Sequence, residues 1–99
     1  MRVSYVPEVV EDLAVARDWY ESRADGLGED FLRMAYVAFS ELGEFPAKHE
    51  AVYNLFRRTL LRRFPYCVYF HIAPDLITVY GVFHSSRDPH VIKQLLDGR

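Results

Sequence analysis

The chain has 99 residues, 51% apolar and 26% charged, a balance that excludes a disordered or fibrous protein and suits one domain. No apolar run approaches the ~20 residues that a membrane span needs, and no basic segment leads into an apolar one at the N-terminus, so the cytoplasm is the expected location. Cys67 is the one cysteine, which excludes an internal disulfide; placed mid-strand, it reads as a buried, inert thiol rather than a nucleophile.

RVSYV (2–6) alternates, with Val3 and Tyr5 on one side, and predicts a short strand. Pro7 suits the first turn of a helix, where its missing N–H costs nothing, and Val9, Leu13, Ala16 and Tyr20 follow at helical spacing. Glu8, Glu11 and Asp12 sit where the helix dipole favours negative charge, as a solvated helix end. ADGLG (24–28) breaks this helix, with Gly26 as a left-handed cap. A second helix runs from about Glu29 to Leu42, striped by Phe31, Ala35, Ala38, Leu42 and Phe45, and EFP (44–46) stops it. So short a link predicts an antiparallel helical hairpin.

HEAVYNL (49–55) reads as a connection or an irregular edge. Residues 56–63, 66–72 and 76–83 are rich in β-branched and aromatic side chains and read as strands. Pro65 divides the first two and APD (73–75) turns between the others, so the three are antiparallel neighbours. Asp88 and Pro89 form a helix cap and first turn, and Gly98 a stop. The expected fold is α+β in the order β-α-α-β-β-β-α. An antiparallel two-helix hairpin packs on one face of a mostly antiparallel sheet of about four strands, and a short C-terminal helix follows. The other face of the sheet is left open.

Charge is unevenly spread. Residues 1–50 hold eleven acids and five bases, a net of −6, whereas residues 51–99 hold three acids and seven bases, a net of +4. Ten of the twelve bases are arginine, whose planar fork matches carboxylate and phosphate. The basic half should seek an anionic partner, or pair internally with the acidic half. Arg57, Arg58, Arg62 and Arg63 lie in RRTLLRRFPYCVYF (57–70). Neighbours on a strand point to opposite faces, so each adjacent pair is split between the faces. One arginine of each pair should meet carboxylates between Glu8 and Glu44, and the other should face outward.

HSSR (84–87) leaves a strand just before a helix cap, a position suited to facing a ligand. His84 could move a proton near neutral pH and Arg87 could hold a phosphate or a developing negative charge, or both could simply brace the last turn. Tyr66, Tyr69, Phe70, Tyr80 and Phe83 could stack bases, but strand aromatics are more often core. His49, His71, His84 and His90 have no usual metal-ligand spacing, so no metal site is expected. GLG is too short for a phosphate loop, and the carboxylate pairs Glu11/Asp12 and Glu29/Asp30 read as solvated helix ends.

Several segments together resemble the RelE/ParE superfamily, the toxins of type II toxin–antitoxin modules. They are DWYE (18–21), GLGEDFL (26–32), FP (45–46), RRTLLRRFPYCVYF (57–70) and ITVYGVFHSSRDP (77–89). The order and spacing of these pieces carry the likeness, which spans nearly the whole chain and is nearest to the ParE-like, or plasmid-stabilisation, branch. The resemblance implies a small cytoplasmic toxin without a cofactor, neutralised by an antitoxin encoded beside it and forming a hetero-oligomer or a homodimer. It implies one of two actions: inhibition of DNA gyrase without catalysis, or cleavage of messenger RNA on the ribosome. A degenerate or purely regulatory member is a third case. By position it marks Arg57, Arg58, Arg62, Arg63, Tyr66, Tyr69 and Arg87 as antitoxin- or target-binding. In a ribonuclease, His84, Arg87 and Arg62 would be catalytic. The chain lacks the C-terminal tyrosine of several nuclease relatives, has Lys48 and Lys93 as its lysines, and is slightly acidic, which favours a protein target.

Overall fold

The computed structural model describes residues 1–45 and 51–99. Its elements are β1 (Arg2–Tyr5), α1 (Glu8–Glu21), α2 (Leu27–Glu44), β2 (Ala51–Tyr53), β3 (Phe56–Leu60), β4 (Tyr66–Ile72), β5 (Leu76–His84) and α3 (Pro89–Asp97). The sheet order is β1-β5-β4-β3-β2, with β1 parallel to β5 and the other neighbours antiparallel. This is the α+β arrangement expected from the sequence, with one short strand more. Of the segment 49–55, residues 51–53 form that edge strand, joined to β3 through Asn54 and Leu55, with Asn54 at φ 50°. Pro46 and His49 lie outside the described residues.

The hairpin forms as its stripes predict except at Phe45, which follows the last residue of α2 and is exposed. Glu21, the last residue of α1, accepts the backbone N–H groups of Gly26 (3.0 Å) and Gly28 (2.9 Å). These are among the N–H groups that a helix start leaves without partners, and α2 accordingly begins at Leu27 rather than Glu29. Gly26 is left-handed, φ 85°, but as the N-cap of α2 rather than the C-cap of α1. Val9, Ala16, Phe31, Ala35 and Leu42 then pack on Val68, Phe70, Ile77, Val79 and Val82 of the sheet. Burial of Phe31 and of Phe70 contributes about 1.5–3 kcal/mol each. Tyr20, Phe31, Phe64 and Tyr66 close one end of this core, with ring centroids 4.8–6.0 Å apart.

Two expectations are corrected. The strand read over 56–63 ends at Leu60. Leu61 and Phe64 are both buried in the hairpin-side core, which an unbroken strand forbids because positions three apart face opposite sides. The chain turns between them, with Arg63 at φ 70°. Arg62 and Arg63 are therefore turn residues, and alternation does not govern them. The second face of the sheet is not fully open either. α3, capped by Asp88 accepting from the His90 N–H at 2.9 Å, lays Ile92 and Leu96 on Cys67, Tyr69 and Phe83. Cys67 is buried there, and burial pushes its thiol up, as an inert cysteine requires. The β2–β3 end of this face stays uncovered, with Val52 46% and Leu60 63% exposed.

A bulge shapes β5. Tyr69 pairs with Gly81 and Phe70 with Val79, leaving Tyr80 as the extra residue. The Phe83 ring folds over Gly81 so closely that a Cβ there would lie 2.4 Å from it. β1 pairs only with Leu76–Val79, so β5 runs on without a strand on that side. Two side chains take the strand's place. Asp12 accepts the Val82 N–H at 3.1 Å, and Arg99 donates to the Tyr80 carbonyl at 2.9 Å. Asp12, read from sequence as solvated, is thus a half-buried partner of the sheet edge.

Candidate functional site

The turn at 61–65 and the loop at 84–88 meet at one end of the sheet, where the Ser85 N–H donates to the Pro65 carbonyl at 2.7 Å. Beside them lies a cleft of about 530 Å³ between α1 and β5, lined by Glu11, Asp12, Val15, Ala16, Tyr66, Val82, Phe83, His84, Ser86 and Arg87. It continues past Tyr66 and His84 into a second hollow of about 440 Å³ against Trp19, Tyr20 and Pro65. HSSR therefore does open on a concavity, as its place at a strand exit suggests.

The geometry of His84 limits its chemistry. Its ring meets Tyr66 edge-on, centroids 5.2 Å apart. Its Nδ1 lies 3.1 Å from the Ser86 backbone N and 2.7 Å from the Ser86 Oγ. A backbone N–H only donates, so Nδ1 is the acceptor and the neutral ring carries its proton on Nε2. In this arrangement neither nitrogen has a lone pair ready to take a proton. The Tyr66 phenol is pushed up by burial and by Tyr20, against the opposing charge of Arg87, so it is protonated near neutral pH. Arg87 lies over the Phe83 ring at 5.5 Å.

The other arginines disperse. Arg57 sits opposite Phe70, on the hairpin side of β3, and Arg58 opposite Tyr69, on the α3 side. This is the split that alternation requires. Arg62 pairs with Glu41 and Arg63 reaches Asp30 at 3.5 Å, both acids being on α2. Both members of the adjacent pair Arg62/Arg63 thus meet acids of α2, where strict alternation would turn one of them outward. These pairs are solvent-exposed and add at most about 1 kcal/mol each. The Tyr69 side chain is buried under α3, with its hydroxyl facing the Arg58 guanidinium. Among the described residues, Arg58, Arg87 and Lys93 have no carboxylate at ion-pair distance.

The eight candidate residues thus occupy four places: His84, Tyr66 and Arg87 at the α1 cleft; Arg58 and Tyr69 at α3; Arg62 and Arg63 in the turn after β3, against α2; and Arg57 on the hairpin side of β3. An apolar groove of about 470 Å³ on the outer side of the hairpin was not among the sequence candidates. Exposed Tyr5, Val10 and Tyr36 line it beside Leu13, Leu32 and Phe39. Leu13 of the predicted stripe reaches this groove, but Tyr5, Val10 and Tyr36 lie outside the helix stripes, which therefore carried no signal for it. Among the described residues no group of His, Cys, Asp and Glu is arranged to hold a metal ion, and no helix is long and apolar enough to cross a membrane.

No family model matches the chain, and no curated protein matches it by sequence. The fold is similar to a solved chain of the chromosomal ParDE TA system from P. aeruginosa. The TM-score is 0.63 at 16% identity, over 85% of this chain and 95% of that one. The likeness runs through the α+β arrangement as a whole rather than through one motif. At this identity it establishes the fold that the two chains share.

Proposed function

We propose that the chain is the toxin of a type II toxin–antitoxin module, held in check by a cognate antitoxin and inhibiting growth by binding a cellular target such as DNA gyrase. The observation that carries this reading is the fold shared with a chain of a ParDE TA system over most of both lengths. The motif order from DWYE to HSSRDP supports it independently. Two uncovered surfaces also suit a partner that wraps the molecule: the apolar groove on the hairpin and the β2–β3 end of the sheet.

Binding rather than RNA cleavage is favoured by two of the three residues a ribonuclease would use. Arg62 is engaged by Glu41, and the Nδ1 of His84 is engaged by Ser86. Cleavage would need a base at the 2′-oxygen and a cation at the phosphate; Arg87 supplies the cation, while His84 would first have to release Ser86. The test is purified protein in a supercoiling assay with the gyrase of its own host, beside mapping of RNA ends in cells that express it. Loss of supercoiling with intact messages is the expected result. Cleaved messages with unaffected supercoiling would replace this reading with the ribonuclease.

A further inference from the structure

Between β3 and α3 lies a hollow of about 100 Å³ that Arg58 and Lys93 both line, with Tyr53 and Tyr69 in its wall. No carboxylate is among its lining residues, and neither cation has an ion-pair partner among the described residues. Asp97 is turned to the Tyr53 hydroxyl at 2.8 Å, outside that lining. A hollow lined by two cationic side chains and no carboxylate favours a bound anion. Exposed Val52 and Leu60 lie beside the hollow on the same face of the sheet.

We propose that this hollow seats one carboxylate of an acidic, apolar peptide segment. Arg58 and Lys93 take the charge, and Val52 and Leu60 take the flanking apolar side chains. A peptide fits better than RNA. The hollow has room for a single anionic group, its surroundings are apolar, and Arg62 and Arg63 are paired with acids of α2, whereas nucleic acid affinity is built from many phosphate contacts. That the segment belongs to the antitoxin rests on the function proposed above; the chemistry of the hollow does not.

Two measurements separate these claims. Calorimetric titration with the product of the adjacent gene should show the Arg58→Gln/Lys93→Gln double variant binding about 30-fold more weakly than wild type. Arg33→Gln, on the other side of the sheet, should bind within about threefold of it, and circular dichroism should show the same fold in all three. Titration of the free protein with glutarate, followed by NMR of the Arg58 Nε–H, should give a saturable shift that the Lys93→Gln variant weakens. Absence of that shift overturns the hollow as an anion seat. Equal antitoxin binding by wild type and double variant overturns the peptide, even if RNA cleavage is lost. A glutarate shift without antitoxin binding by wild type supports the hollow and removes the toxin–antitoxin reading.

Discussion

Asp12 and Arg99 stand 87 positions apart and form a two-pronged ion pair, Nη1 to Oδ2 at 2.6 Å and Nη2 to Oδ1 at 2.9 Å. Each side chain is 11% exposed. The pair ties Arg99, two residues past α3, to α1, and through Val82 and Tyr80 it covers the part of β5 that β1 leaves bare. An uncovered edge invites pairing with other chains, so this contact protects the sheet as well as closing the fold.

Asp12→Ala should cost about 2–4 kcal/mol, because it leaves the part-buried Arg99 guanidinium without a counter-charge and the Val82 N–H without an acceptor. Adding Arg99→Met should cost much less than its effect alone, giving a coupling of about 1–3 kcal/mol in urea unfolding. Additive losses would mean that the two side chains do not work as a unit.

Gly81→Ala should destabilise by about 1–3 kcal/mol, the usual range for forcing an atom into packed space. The Phe83 ring occupies the place of the new Cβ, so Phe83→Leu should absorb part of the loss. The comparison of the two single variants with the double in thermal melts decides it, and no relief in the double would place the strain elsewhere.

Glu21 offers a pH test. The backbone N–H groups of Gly26 and Gly28, that of Gly26 first, hold its carboxyl below the usual range. A carboxyl lowered on folding contributes stability that is complete above its unfolded value, near 4.3, and lost as pH falls through the folded value. Glu21→Gln should melt lower than wild type at pH 7, and the gap should shrink below about pH 4. Melts from pH 7 down to 2 would count against this capping role if the gap stayed constant.

His84→Ala should leave growth inhibition intact, since the proposed action uses no proton transfer. A ribonuclease base would instead lose about 10²–10⁴-fold in cleavage on removal. Mapping of RNA ends beside growth curves distinguishes the two, and loss of both toxicity and cleavage in a folded variant would assign His84 to catalysis.

Much of this fold was legible where one period dominated. The spacing Val9, Leu13, Ala16, Tyr20 and the run 66–72 each had one reading, and both hold. RRTLLRRF did not, because arginine and apolar residues alternate equally well in either parity. The break lies in the joint burial of Leu61 and Phe64, which is a tertiary fact. The strand exit at His84 was readable, and the cleft follows from it. The Asp12–Arg99 pair and the Arg58–Lys93 hollow were not readable. Each depends on how the C-terminal segment crosses the sheet, and no local pattern records that crossing.

The most direct test of the proposed role is growth of the native host carrying this chain under an inducible promoter, with and without the adjacent gene. Induction of the chain alone should arrest growth, and joint induction should restore it through a complex that can be isolated. Undisturbed growth with intact, folded protein, or arrest that the neighbour leaves unrelieved, would contradict the proposal.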